Sequence, residues 1–272
     1  MAAAYYEMLV SYGDAYSTIP MFPVFEVAHY ILMIQAVRQD LREDTKHLAQ
    51  TNPLVCWFCS MLSSFAGGIL TNFLLGQPIL AAFNNHINIG LATIVWYLIF
   101  YCPGDFFFKL VSSFPVQLLL IPFKEIIRMN KIAGGITQAA AVYPNGFLVM
   151  LIIGTVKGTG SMQMRNIERL LRATSGPSSN QFTNPSFTMK GSIIISLLIV
   201  LQRYVILPVP ISLLLLFSML AMTTAKVFIL YGSRDPFEPL EGVLRPVVFG
   251  KQPQDTTSKK VKDNKDKKNK KE

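Results

Sequence analysis

"GSIIISLLIVLQRYVILPVPISLLLLFSMLAMTTAKVFILYG", residues 191 to 232, decides the class of fold. The run is nearly all apolar, and Pro208 and Pro210 divide it in two. A hydrocarbon core of about 30 Å takes roughly 20 residues of helix to cross, and each half comes close to that length. Working outward, comparable segments lie near 19–37, 54–75, 87–108, 110–133 and 146–163; with 190–207 and 209–231 they predict seven membrane-spanning helices. Composition agrees. Across 272 residues, 51% are hydrophobic and 15% charged, with a mean hydropathy of +0.38, and so few charges do not suit an ordinary soluble domain. Strand alternation is absent over most of the chain, which argues against a membrane barrel. Helices satisfy each backbone group within their own segment, as lipid requires. The expected fold is therefore an all-α membrane protein.

The short loops orient it. Residues 1–18 carry Glu7 and Asp14 but no Lys or Arg, whereas the first loop holds Arg38, Arg42 and Lys46. The second loop, "GQPILAAFNNH", has no formal charge, and the loop after the fifth segment carries Arg165, Arg169 and Arg172. The positive-inside bias places the N-terminus in a lumen or outside and the C-terminus in the cytosol. The N-terminus has no basic flank before its first apolar run, so the first span is expected to stay as an anchor rather than be cleaved.

Against that background "KEIIRMNK", Lys124 to Lys131, is anomalous. Lys124, Arg128 and Lys131 are spaced i, i+4 and i+7, so a helix puts all three on one face, and Glu125 neutralises only part of the stripe. An ionisable group at membrane depth costs at least about 2.5 kcal/mol and is normally turned toward a cavity or partner. The stripe must meet water, anions or the head group of an anionic lipid. Lys157, in "GTVKGTG", poses the same question in the fifth segment.

Glycine clusters stand near the middles of the second and fifth segments: Gly67 and Gly68 in "SSFAGGILTN", and Gly154, Gly158 and Gly160 around Lys157, with Thr155, Thr159 and Ser161. Two readings are open. Glycine permits a helix to break and bare its carbonyls to a hydrated pathway, or lets helices pack closely. Broken helices at equivalent places in two inverted halves point to a midplane pathway, and segments one to three could match four to six in opposite orientation, with the seventh added. Lys157 is either part of such a pathway or a snorkelling side chain, as expected of Lys226.

Other features are weaker. Cys56 and Cys59 form a C-x-x-C inside "VCWFCSML", without the strand-to-helix context of a redox motif; with Cys102 they read as small membrane-helix residues. The three histidines, His29, His47 and His86, are scattered, with no nucleophile–base pair and no metal-ligand spacing, so no enzyme is expected. Glu26 and Asp105 either pair with buried cations or lie at the membrane interface. Beyond Gly250 the chain carries nine lysines, four acids and no aromatic residue. That composition predicts a disordered cytosolic tail over 250–272, attached to a membrane domain over 1–249. The tail is suited either to anionic lipid or to solvent alone, and its end, "KNKKE", resembles a dilysine retrieval signal of the endoplasmic reticulum. Nothing points to nucleic acid.

"KEIIRMNKI" followed by "VYPNGFLVMLIIGTVKGTGSMQMRNIERLLR" resembles the trimeric intracellular cation channels of endoplasmic and sarcoplasmic reticulum. "PMFPVFEVAHYIL", "VWYLIFYCPGDFFFK" and "DPFEPLEGVLRPVVFG" resemble further blocks of that family in the same order. The family pattern K-E-x-x-R-x-x-K is met in full at Lys124, Glu125, Arg128 and Lys131, and the glycine-flanked lysine at Lys157. The resemblance implies a homotrimer of seven-helix subunits, each with its own pore lined by broken helices two and five. It implies potassium as the permeant ion, balancing charge during calcium release. It also implies phosphatidylinositol bisphosphate bound by Lys124, Arg128 and Lys131. Gly67, Gly68, Gly154, Gly158, Thr155, Thr159, Lys157 and Glu125 are the expected pore and gating residues. No rigid filter of the "TVGYG" kind is present, so selectivity among monovalent cations is expected to be loose. A secondary transporter with a midplane charged site is the competing class, and a non-conducting scaffold the next.

Overall fold

The computed structural model describes residues 2–41, 51–171, 186–232 and 237, with side chains from 5–40, 51–167, 186–232 and 237. The chain divides into Met1–Ser233 and Arg234–Glu272. All described helices belong to the first unit; the expected boundary at 249/250, the lysine tail and its terminal signal lie outside the described residues.

Nine α-helices follow one another among the described residues: α1 (Ala2–Ser17), α2 (Val24–Leu41), α3 (Pro53–Leu74), α4 (His86–Tyr101), α5 (Phe106–Ser112), α6 (Phe114–Val142), α7 (Phe147–Leu171), α8 (Phe187–Arg203) and α9 (Ile211–Leu230). Their ends carry local signals. Pro53 opens α3, where its missing N–H is no loss. Asn85 caps α4 by accepting from the amides of Ile87 and Asn88 at 3.1 and 3.2 Å, and Ser186 accepts from Met189 at the start of α8. Gly76, at φ 66°, follows α3, where a left-handed residue ends a helix most cheaply.

Each of the seven expected segments falls on a helix, but among the described residues three helices are long and apolar enough to cross a membrane: α3, the Phe147–Ile167 part of α7, and α9. A fourth span exists if α4 and the Pro103–Ser112 stretch count as one, bent by 92°. The sequence predicts a continuous third segment over 87–108, and the structure differs there. Pro103 removes a donor, and Gly104 and Asp105 both take positive φ, 66° and 57°, so the chain turns a corner before α5. Helix α1 is a further addition to the expected set. Its alanines, Met8 and Leu9 favour helix, and its Gly13 lies directly against the backbone of Ser212 and Leu213 at the start of α9.

The glycine-bearing helices are not broken. Both α3 and α7 are helical throughout their described lengths, which corrects the expectation of opened segments at Gly67, Gly68, Gly154 and Gly158. Their glycines instead allow contact: a Cβ on Gly67 would lie 2.6 Å from the Lys157 carbonyl oxygen, and one on Gly160 would overlap the Gly67 backbone. Four hydroxyls inside these helices, those of Ser60, Ser64, Thr155 and Thr159, donate to carbonyls one turn back and so are satisfied within their own helix.

The centre is formed by α6 and α7, with α3 and α8 against α7, and α2 and α9 against α6. One apolar cluster joins Ile126, Met129, Ile132 and Ile136 of α6 to Met150 and Ile153 of α7, Ile195 and Ile199 of α8 and Met222 of α9. A second joins Tyr30 and Ile34 of α2 to Met61 of α3 and Val95 and Ile99 of α4. Large apolar side chains also point outward, among them Phe58, Phe73, Tyr97, Ile193, Ile194, Phe217 and Leu220. Polar groups buried and apolar groups outside is the arrangement lipid favours.

Candidate functional site

The stripe on α6 faces inward. Lys124, Arg128 and Lys131 line one side of a cleft closed by His29 and Met33 of α2 and by Gly158, Thr159, Ser161 and Met162 of α7. Its volume is about 30 Å³, room for one or two waters. Arg128, 5% exposed, uses only Nη1 on protein: that nitrogen donates to both oxygens of Glu125, at 2.9 and 2.8 Å. A guanidinium has five donors, so Nε and Nη2 have no protein acceptor among the described residues. The Lys124 ammonium likewise has none there. Lys131 differs, because its Nζ lies 2.8 Å from Nε2 of buried His29. The same Nε2 lies 3.0 Å from the Ser64 carbonyl oxygen; an ammonium only donates and a carbonyl only accepts, so this nitrogen serves one of the two partners at a time.

Glu125 is fully buried. Its Oε1 also receives Lys226 Nζ of α9 at 2.5 Å. Lys226 is therefore held within the protein and does not snorkel.

Lys131 opens onto a second cavity as well, of about 180 Å³, lined by Glu26, Tyr30, Ser64, Gly68, Asn88 and Lys157, with Phe65 and Ala82 completing the wall. Lys157 Nζ donates to Gln138 Oε1 at 2.8 Å, and the Gln138 amide donates in turn to Asn72 Oδ1 at 3.1 Å and Gln77 Oε1 at 2.5 Å. Polar groups thus run in series through the packed helices α2, α3, α6 and α7: Lys124 and Arg128, then Lys131 with His29, then Lys157, Gln138 and Asn72 with Gln77. The second cavity, with its polar lining, is large enough for several waters.

Not every expected site residue joins this string. Gly68, Gly158 and Thr159 border the cavities, and Gly67 meets the Lys157 backbone. Gly154 packs instead on Ile136 and Ser196, and Thr155 is 7% exposed and bonded to Leu151; neither lines either of these two cavities. Of the two acids left open, Glu26 lines the second cavity, while Asp105 accepts from Arg38 at 2.8 Å. His29, Gln138 and Lys226 are residues that sequence reasoning missed. Gln138 was findable, since it stands seven residues beyond Lys131 and continues the same helical face.

A TRIC channel family model matches residues 42–232. The chain belongs to the TRIC channel family. It is 39% identical over 238 residues to the human trimeric intracellular cation channel type A, covering 87% of this chain and 79% of that protein. A solved trimeric intracellular cation channel from C. elegans, in the absence of Ca2+, superposes with a TM-score of 0.77 at 37% identity, covering 83% of this chain and 97% of the other. A further structure, of TRIC counter-ion channels in calcium release, gives 0.76 at 33% identity, covering 82% and 99%. The all-helical fold is thus that of TRIC channels, and the relatives are channels rather than enzymes.

Proposed function

We propose that this TRIC channel conducts potassium across the endoplasmic or sarcoplasmic reticulum membrane as counter-ion to released calcium. Each subunit of a homotrimer carries its own pathway, with seven spans, an inverted three-plus-three repeat and an added last helix, the N-terminus lumenal and the C-terminus cytosolic. The observation that carries this reading is the series of polar side chains through α2, α3, α6 and α7, joined at Lys131, which borders both cavities. The relatives' descriptions as intracellular cation channels and as counter-ion channels support the ion and the setting.

A pathway lined by Lys124, Arg128, Lys131 and Lys157 repels cations unless negative charge is brought to it. Phosphatidylinositol bisphosphate supplies that charge. Its phosphates accept from the Lys124 ammonium and from Nε and Nη2 of Arg128 in charge-assisted hydrogen bonds. The cleft's small volume admits a phosphate among these side chains rather than a whole inositol ring, so the ring rests at its mouth. The test is potassium current from purified protein in planar bilayers, with and without the phosphoinositide, beside a Lys124→Ala, Arg128→Ala double variant. Lipid-dependent current that is altered in the variant supports the reading. Current indifferent to both overturns the lipid's role, and saturable flux without channel current points to a transporter.

A further inference from the structure

Glu125 is an acid placed where the proposed ligand is also an acid. It is fully buried behind the basic face, and both its oxygens are taken by the same Arg128 nitrogen, one of them also by Lys226. Removing a carboxylate from water is costly and is not by itself a source of stability, so its placement calls for a role. Arg128 has two sides: Nη1 faces Glu125, whereas Nε and Nη2 have no protein acceptor among the described residues and Arg128 borders the cleft. An anion in the cleft and the Glu125 carboxylate therefore address one guanidinium from opposite sides. Their mutual repulsion crosses a low-dielectric interior in which charges act over long range. Lys226, reaching in from α9, cancels Glu125's charge at a distance of 2.5 Å.

We propose that Glu125 and Lys226 together set the affinity of the basic cleft for phosphate-bearing ligands. Glu125 is a fixed internal anion that holds affinity down, and Lys226 a positioning residue that neutralises it and holds affinity up. This rests on the reading of Lys124 and Arg128 as an anion site, and it adds two residues that need not touch the ligand. It also ties α9 to the cleft, because any motion that withdraws Lys226 leaves Glu125 unopposed and weakens the anion's hold.

The experiment measures binding to the purified full-length protein of two probes, soluble inositol bisphosphate and nanodiscs containing phosphatidylinositol bisphosphate. Four proteins are compared: the native chain, Glu125→Gln, Lys226→Met and the double variant. Glu125→Gln, which keeps shape and loses charge, is expected to bind on the order of tenfold more tightly, the factor that corresponds to about 1.4 kcal/mol. Lys226→Met is expected to bind about as much more weakly. The double variant, in which the removed charges cancel, should return to within about threefold of the native chain. A purely structural ion pair gives another pattern: Glu125→Gln binds no better, and the double variant binds as poorly as the worse single one. Either result overturns the proposal. Should Lys226→Met not fold, the direction of the Glu125→Gln change decides alone. Lack of binding by the native chain to both probes removes the anion site itself, whereas native binding unmoved by Glu125→Gln removes only the tuning by Glu125 and Lys226. Response to the nanodisc but not the soluble probe assigns the ligand to the membrane.

Discussion

Gly160 on α7 lies against the backbone of Gly67 on α3 so closely that a Cβ at Gly160 would overlap the Gly67 Cα. Two helices of the polar pathway are thus in backbone contact, and no side chain can be inserted between them. Gly160→Ala is expected to cost at least about 2 kcal/mol, since neither backbone can yield without moving its helix. Gly68→Ala should cost clearly less, because its nearest neighbour is the Ala82 Cβ at 3.2 Å. Thermal unfolding in detergent checks the contrast, and equal midpoints for the two variants would contradict it.

Arg38 locks the corner after α4. Its guanidinium donates to Asp105 at 2.8 Å and to the Ile99 carbonyl, and stacks over Phe108 with 4.0 Å to the ring centroid. Lysine cannot reproduce a fork that serves two acceptors and a ring at once. Both Arg38→Met and Arg38→Lys should destabilise, the former by about 3 kcal/mol because Asp105 and a buried carbonyl each lose a donor. Denaturant unfolding followed by tryptophan fluorescence, with Trp96 on the same helix as Ile99, measures it.

The three cations of the stripe should be unequal. Lys131 is engaged with His29, while the Lys124 ammonium has no protein acceptor among the described residues. Neutralising Lys124 is expected to weaken phosphoinositide binding by roughly tenfold, the scale of one charge-assisted hydrogen bond. Lys131→Gln should weaken it by less than about threefold. Equal losses on titration with lipid-containing nanodiscs would mean that His29 does not hold Lys131 back.

Lys157 presents a cation to the second cavity, and its one hydrogen bond among the described residues goes to a neutral amide, Gln138. A fixed positive charge beside a potassium path raises its electrostatic barrier, by roughly 1 kcal/mol at the effective dielectric of such sites. Lys157→Gln should therefore raise single-channel potassium current severalfold, and Lys157→Arg should not. A fall in current in Lys157→Gln would assign the side chain to holding the cavity open instead.

Much of the fold was legible in one dimension, because lipid makes hydropathy a strong signal: a run such as 191–232 has few folded states that satisfy its backbone. The inward direction of Lys124, Arg128 and Lys131 followed equally from their spacing, since three like charges on one helical face do not persist against hydrocarbon. Where the physics was local, as in the pattern K-E-x-x-R-x-x-K, the chain carried it.

The remainder depended on contacts between residues far apart in sequence. Glycine licenses both a break and a close approach, and only the position of Lys157 and Gly67 on facing helices selected the approach. Lys226 near the end of an apolar helix has the local look of a snorkelling side chain, and its partner, Glu125, lies 101 residues earlier in the chain. Composition and periodicity thus determined an all-helical membrane fold and the basic face within it. Tertiary structure alone decided which cations are already paired and which are open to a ligand, because a charge's state depends on what lies a few ångströms away, and that distance is not written along the chain.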